Sequence, residues 1–232
     1  MTAYAFPPPP VAAAAIRGRD ARFPIARIFC VGRNYEAHAR EMGVAVDREA
    51  PFYFTKAALT CVPSGATVAY PPETGDYHYE MELVVAIGKP AFRVAREQAL
   101  EAVFGYACGL DMTRRDLQLA ARAKQRPWDL GKDFEESAVL SDIVPVADGG
   151  HPAAGRIELR VNGTTRQSSD LALLIWSVPD LIAHLSRFYH LQPGDLIYTG
   201  TPEGVGAVKP GDRIEGSIAG VGTVALTVGD GA

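Results

Sequence analysis

Two glutamates two positions apart, Glu80 and Glu82, lie in the run Y-H-Y-E-M-E-L-V-V-A-I-G at residues 77–88. Its β-branched and aromatic residues predict one strand ended by Gly88. Strand side chains alternate between faces, so Glu80 and Glu82 share a face with Val84 and Ala86, opposite Met81, Leu83, Val85 and Ile87. Apolar residues on both faces predict a strand covered on both sides. Two carboxylates entering it together repel each other, and loss of water raises their pKa values; a divalent cation relieves both effects. An exposed strand end is the alternative for such a pair. Asp111 follows an apolar run at 104–110 and adds a third carboxylate, although a helix cap also suits it. Three hard oxygen donors select Mg²⁺, Mn²⁺ or Ca²⁺ over zinc or copper and leave positions for water and a bidentate substrate. His78, on the same predicted face, is a candidate fourth ligand that would favour iron or manganese, or else a backbone-bonded histidine.

His38 and Glu41 are three apart on a predicted helix and therefore neighbours. A carboxylate beside a histidine fixes its tautomer and raises its basicity, as a general base requires; a casual surface pair has the same spacing. Lys56 in F-Y-F-T-K and Lys132 in W-D-L-G-K sit beside apolar stretches, fitting either anion binding or lysines that keep their ends in water. The loop 200–206, G-T-P-E-G-V-G, lacks the features of a dinucleotide or phosphate loop, but its N–H groups and the Thr201 hydroxyl can hold a carboxylate. No G-x-S-x-G elbow occurs, which argues against a serine hydrolase.

The elements that must position these groups are short. A strand at 25–31 leads to a polar helix running to Met42, with Asn34 as its cap. A second strand covers 51–57, a third 67–70, and a helix 96–103. Thr113 with Asp116 predicts the cap of an amphipathic helix ending near Lys124. From Asp133 the chain reads as irregular until a strand at 156–161, which turns at Asn162-Gly163 and returns over 164–167. Ser177, Pro179 and Asp180 mark a helix start, with Leu181, Ile182, Leu185, Phe188 and Tyr189 as its buried stripe. Strands broken by glycine and proline close the chain, so the expected class is α+β, β-rich: a roll or barrel with short peripheral helices.

The 232 residues, with 47% hydrophobic and 22% charged content, fit an ordinary soluble globular protein of one large domain or two small ones, and no linker divides the chain. Residues 1–20, rich in proline and alanine, read as an arm on the surface or on a partner subunit, and 21–232 as the domain. A net charge of −4 argues against nucleic acid or an anionic membrane. Cys30, Cys61 and Cys108 are far apart and read as reduced thiols of a cytoplasmic protein. No apolar run suits a spanning helix, and no export signal is read.

The pieces C-V-G-R-N-Y-E-A-H-A-R-E-M, H-Y-E-M-E-L-V-V-A-I-G-K, G-L-D-M-T-R-R-D-L-Q, G-K-D-F and Y-T-G-T-P-E-G-V-G-A-V-K-P-G-D, in this order, resemble the fumarylacetoacetate hydrolase family from about Arg22 to Val228. The resemblance implies a mixed β-sandwich roll, a homodimer and bound Mg²⁺ or Mn²⁺. It implies Glu80, Glu82 and Asp111 as metal ligands and His38 with Glu41 as a water-activating dyad on a lid helix. It makes Lys132, Gln118, Arg115, Lys56 and Thr201 substrate and oxyanion contacts. One departure is Ala57, where family members usually have proline after the lysine.

The N-terminal pattern and F-Y-F-T-K resemble the branch that cleaves fumarylpyruvate in gentisate breakdown. The implied reaction is hydrolysis of the C3–C4 bond of a small anionic 2,4-dioxo acid, giving fumarate and pyruvate. A far carboxylate on that substrate needs a cation, for which Arg33, Arg40 and Arg115 are candidates. General acylpyruvate hydrolysis, oxaloacetate decarboxylation, and isomerisation or hydration of a related dioxo acid are alternatives. A β-rich binding module with a structural ion is the non-enzymatic one.

Overall fold

The strand Met81–Ile87 is buried at all seven residues. Met81, Leu83, Val85 and Ile87 enter one apolar cluster, while Val84 and Ala86 enter another on the opposite face. The alternation read from the sequence therefore places this strand between two layers. The molecule is a computed structural model, in which residues 3–43, 45–46 and 48–231 are described.

The strand sits near the middle of an eight-stranded mixed sheet. Its path runs Phe52–Lys56, Arg27–Gly32, Asp195–Tyr198, Met81–Ile87, Val103–Asp111, Ala138–Leu140, Cys61–Pro63, and Val144–Pro145 also pairs with Val103–Asp111. A five-stranded sheet, in the order Thr164–Asp170, Arg156–Val161, Arg213–Ile218, Gly222–Gly231, Thr67–Tyr70, packs against one face. Met81 and Leu83 from the first sheet and Ile157, Leu159, Ile214 and Leu226 from the second share one core. The fold is thus the β-rich roll with short helices that was expected.

Several local expectations change. The run 77–88 is two strands: Tyr77–Tyr79 pairs with Thr113–Arg114 and Gly206–Val208 in a small sheet, and Met81–Ile87 belongs to the large one. Glu80 lies at the break between them, where its carbonyl accepts from the Asp111 N–H at 2.9 Å. Asn34 does not cap the helix Glu36–Glu41, whose N-cap is Tyr35. Its buried amide instead bonds the Thr199 and Trp176 carbonyls at 2.7 and 3.0 Å. Thr113 does not cap Arg115–Ala123 either, because Arg114 takes that place. The segment at 96–103 is the 3₁₀ helix Arg96–Ala102.

The stretch after Asp133, expected to be irregular, contributes Ala138–Leu140 to the large sheet. The helix Val178–Leu185 has the expected Ser177–Asp180 cap but ends at Leu185. Phe188 and Tyr189 lie beyond it and are exposed, so they are not part of its buried stripe. Ala13–Ile16 pairs with Arg19–Pro24, and Ala14, Ile16 and Phe23 cover the second face of the large sheet. This hairpin straddles the boundary placed after residue 20; residues 3–12 precede it without strand or helix. The three cysteines are free, and no helix among the described residues is long and apolar enough to cross a membrane.

Candidate active site

Glu80, Glu82 and Asp111 converge, each offering a carboxylate oxygen within 4.8 Å of the others, and all three are buried. The fold makes this happen at strand ends: Glu82 pairs with Gly109, two residues before Asp111, in the Met81–Ile87 and Val103–Asp111 ladder. Cations surround two of the three. Lys132 Nζ donates to Glu80 Oε2 at 2.8 Å, Asp111 Oδ2 at 2.7 Å and Thr113 Oγ1 at 2.7 Å. Arg115 pairs with Glu80 and donates to Gln118 Oε1 at 2.6 Å. Burial disfavours the charge on Glu80, but Lys132 and Arg115 outweigh it and hold this carboxyl well below the usual range.

Glu82 differs. Its Oε2 accepts from the Gly200 N–H at 2.6 Å, and among the described residues no cationic side chain pairs with it. Burial, then the charges of Asp111 and Glu80, push its carboxyl well above the usual range. Asp111 Oδ1 is buried and accepts no hydrogen bond, although Lys56 Nζ lies 2.9 Å away. An unbonded oxygen, a carboxylate lacking a cation and an all-oxygen donor set fit a hard divalent cation.

The lysines occupy different places. Lys132 lines the cleft beside the carboxylates. Lys56 is fully enclosed and donates to the Met112 carbonyl at 3.1 Å and to the Lys132 carbonyl. It therefore supports Asp111 from behind rather than facing the cleft. Lys132 keeps its charge although burial works against it, because Asp111 and Glu80 sit beside it. With three acceptors already bonded, its ammonium has no further N–H to offer an oxyanion in this arrangement.

His38 and Glu41 meet as expected on their helix, with Nδ1 and Oε2 3.1 Å apart. The other oxygen of Glu41 accepts from the Gly204 N–H at 3.0 Å. Burial works against ionisation of Glu41, but His38 and that N–H hold its carboxyl below the usual range. His38, Arg33, Arg115, Gln118 and Thr201 line one cleft together with Glu80 and Lys132. His78 is not a fourth ligand: its Nε2 lies 2.8 Å from Asp76 Oδ1. Burial, then Arg115, lower its pKa.

Sequence reasoning missed several supports. Gln167 is buried in a polar hairpin strand, where nothing marks it; its amide donates to Thr201 Oγ1 at 2.9 Å and the Pro202 carbonyl at 2.8 Å, and its Oε1 accepts from the Met81 N–H at 3.0 Å. The glycine loop was marked as a carboxylate holder. It does hold carboxylates, but they are the protein's own Glu82 and Glu41. Arg122 and Trp128 also line the cleft, and the amphipathic pattern alone gave them no role.

The geometry agrees with known proteins. Residues 27–229 match the family described as fumarylacetoacetate (FAA) hydrolase C-terminal. A fumarylpyruvate hydrolase from Ralstonia sp is 63% identical over 190 residues, spanning 81% of this chain and 98% of that protein. A mitochondrial oxaloacetate tautomerase from Homo sapiens is 41% identical over 201 residues, spanning 87% and 90%. The crystal structure of fumarylpyruvate hydrolase from Pseudomonas aeruginosa in complex with Mn²⁺ and pyruvate aligns with a TM-score of 0.95 at 51% identity, covering 98% of this chain and 99% of that one. From its motifs, its carboxylate cluster and these likenesses, the chain belongs to the fumarylacetoacetate hydrolase family.

Proposed function

We propose that this protein hydrolyses the C3–C4 bond of a 2,4-dioxo acid, with fumarylpyruvate as the substrate and fumarate and pyruvate as products. The observation that carries the reading is the opening of the His38–Glu41 dyad onto the same cleft as Glu80 and Lys132. The 63% identity to a fumarylpyruvate hydrolase supports the substrate. The metal bound in the Pseudomonas aeruginosa structure supports Mn²⁺, or the chemically similar Mg²⁺, as the cofactor.

Glu80, Glu82 and Asp111 would hold the ion. When bound, it supplies a Lewis acid for the charge that develops on the pyruvate half. Glu41 holds the His38 Nδ1–H, which leaves Nε2 to take a proton from water. The resulting hydroxide adds to the 4-carbonyl carbon. The C3–C4 bond then breaks, its electron pair passes to the pyruvate half, and C3 takes up a proton. Gln118 Oε1 is turned toward Arg115, so its amide N–H₂ is the donor end available to substrate oxygen. Lys132 and Arg115 keep Glu80 ionised, and Lys132 and Lys56 hold Asp111 in place. Thr201, held by Gln167, adds a hydroxyl to the cleft wall.

The test is to strip the metal with chelator, restore Mg²⁺ or Mn²⁺, and assay fumarylpyruvate, acetylpyruvate and oxaloacetate for pyruvate release. Metal-dependent cleavage fastest on fumarylpyruvate, abolished in His38→Ala, is the expected result. Preference for acetylpyruvate would make it a general acylpyruvase. Oxaloacetate turnover that survives His38→Ala would replace hydrolysis with decarboxylation. Enol–keto exchange of oxaloacetate without pyruvate release would align the chain with its tautomerase relatives. A homodimer and a cytoplasmic place in aromatic breakdown complete the reading on the family resemblance; sedimentation of the purified protein tests the dimer.

A further inference from the structure

We propose that Arg122, with Arg33 beside it, anchors the far carboxylate of the substrate and sets the preference for acylpyruvates that end in an acid. The inference rests on the hydrolase reading above. A fumaryl tail is flat, conjugated and negatively charged at its end, so it needs an aromatic channel leading to a cation. Most cations near the site are already engaged. Arg115 and Lys132 hold Glu80, and Lys56 is enclosed behind Asp111. Arg40 pairs with Glu36 and lines a separate cavity with Ala37 and Arg48.

Arg33 and Arg122 stand on the wall that the catalytic cleft shares with a neighbouring cavity, together with Phe54 and Trp128. That neighbouring cavity continues past Phe52 and Pro127. Arg122 is half-buried, and its Nη1 donates to the Met42 carbonyl at 3.2 Å. Among the described residues no carboxylate lies within ion-pair distance of it. One backbone bond leaves most of its planar fork of N–H groups to meet a carboxylate through two oxygens. Arg33 is fixed beside it: its Cζ lies 5.8 Å from the ring centroids of both Phe52 and Trp128, and its φ is 59°. The Phe54 and Trp128 rings are 5.9 Å apart. Such rings exclude water, which strengthens a charge pair, and their faces suit a conjugated tail. Met42 is the C-cap of the helix that carries His38, so an acid held at Arg122 also bears on the end of that helix.

The experiment uses the full chain with Mn²⁺ and compares kcat/KM on fumarylpyruvate and on acetylpyruvate, which lacks the far acid. The fumarylpyruvate-to-acetylpyruvate ratio is expected to fall roughly 10–100-fold in Arg122→Met, as loss of a hydrogen-bonded charge pair implies. Arg122→Lys is expected to recover part of it. An unchanged ratio, with both substrates slowed alike, overturns the proposal and leaves Arg122 as a prop for Met42. If the wild type cleaves no fumarylpyruvate, the hydrolase reading fails, but calorimetric titration with fumarate still decides the anchor. Binding at least tenfold weaker in Arg122→Met than in the wild type supports it; equal affinity, or no binding by either, overturns it.

Discussion

His38 Nδ1 lies 3.1 Å from Glu41 Oε2, and the opposite oxygen of the same carboxylate is held by the Gly204 N–H at 3.0 Å. His38, Glu41 and the loop that holds Glu41 therefore form one chain of contacts. Loss of a positioned general base costs roughly 10²–10⁴-fold in rate. His38→Ala is expected to lose that much in kcat, and Glu41→Gln to lose activity as well, because both Glu41 oxygens accept N–H groups and an amide replaces one acceptor by a donor. Calorimetric Mn²⁺ titration should give wild-type affinity for both, since neither residue belongs to the carboxylate cluster. A large loss of metal affinity would move the dyad's role to the metal.

Removing the divalent ion should lower thermal stability as well as stop turnover. Ion at about 100 times its Kd stabilises by about 2.7 kcal/mol. For a chain of this size that corresponds to roughly 5–10 °C in Tm. Lys132→Met leaves Glu80 and Asp111 without their shared ammonium, and breaking such a buried pair costs roughly 3–5 kcal/mol. The metal-free variant should therefore melt well below the wild type, and added Mn²⁺ should raise its Tm by more. Differential scanning calorimetry with and without chelator reads both effects.

Gly204 has φ +94°, and a Cβ there would strike the Arg166 carbonyl oxygen. Gly204→Ala must then shift the loop or adopt a strained backbone, at a cost of order 1–3 kcal/mol. Its N–H moves with it, so Glu41 loses its second contact. The expected variant is folded and metal-loaded, with kcat reduced roughly tenfold or more. A normal kcat would show that His38 alone holds Glu41 in place.

Acid stability should carry the signature of the cap at Val178–Leu185. Burial alone would raise the Asp180 carboxyl, but the Ser177 hydroxyl, Arg96 and the Ser177 N–H together hold it below the usual range. The folded pKa is thus lower than the unfolded one, so the contribution is complete above the ordinary carboxylate value of about 4 and is lost as pH falls through the folded value. Asp180→Asn should melt lower at pH 7, and the gap from the wild type should close on acidification. A gap that stayed constant to low pH would remove Asp180 from the acid transition. Loss of the cap itself is worth about 1 kcal/mol.

The site was legible where chemistry and strand periodicity coincide. Glu80 and Glu82 show through because charges entering a β-branched run need a reason, and Asp111 because it ends an apolar one. The break at Glu80 was not legible, since Tyr77–Tyr79 and Met81–Ile87 read as one β-rich run whichever sheets they join. Lys56 and Lys132 carry similar local signals, yet one faces the cleft and the other lies behind Asp111; that difference belongs to tertiary packing. Asn34 and Gln167 were misread or missed because side-chain bonds to distant carbonyls leave no local pattern. The buried stripe was extended too far because periodicity does not sense a helix end: Phe188 and Tyr189 rest on His184 and Phe29 from outside the helix.

The loop after Asp195–Tyr198 touches both halves of the chemistry, with the Gly200 N–H on Glu82 and the Gly204 N–H on Glu41. In the proposed reaction it would work as a ruler whose length sets how far His38 stands from the carboxylate cluster. A redesigned enzyme could accept new acyl tails by remodelling the wall around Arg122 and Trp128 without disturbing this gauge. Adding or deleting a single residue between 200 and 204 would instead uncouple water activation from bond cleavage, whatever substrate was bound.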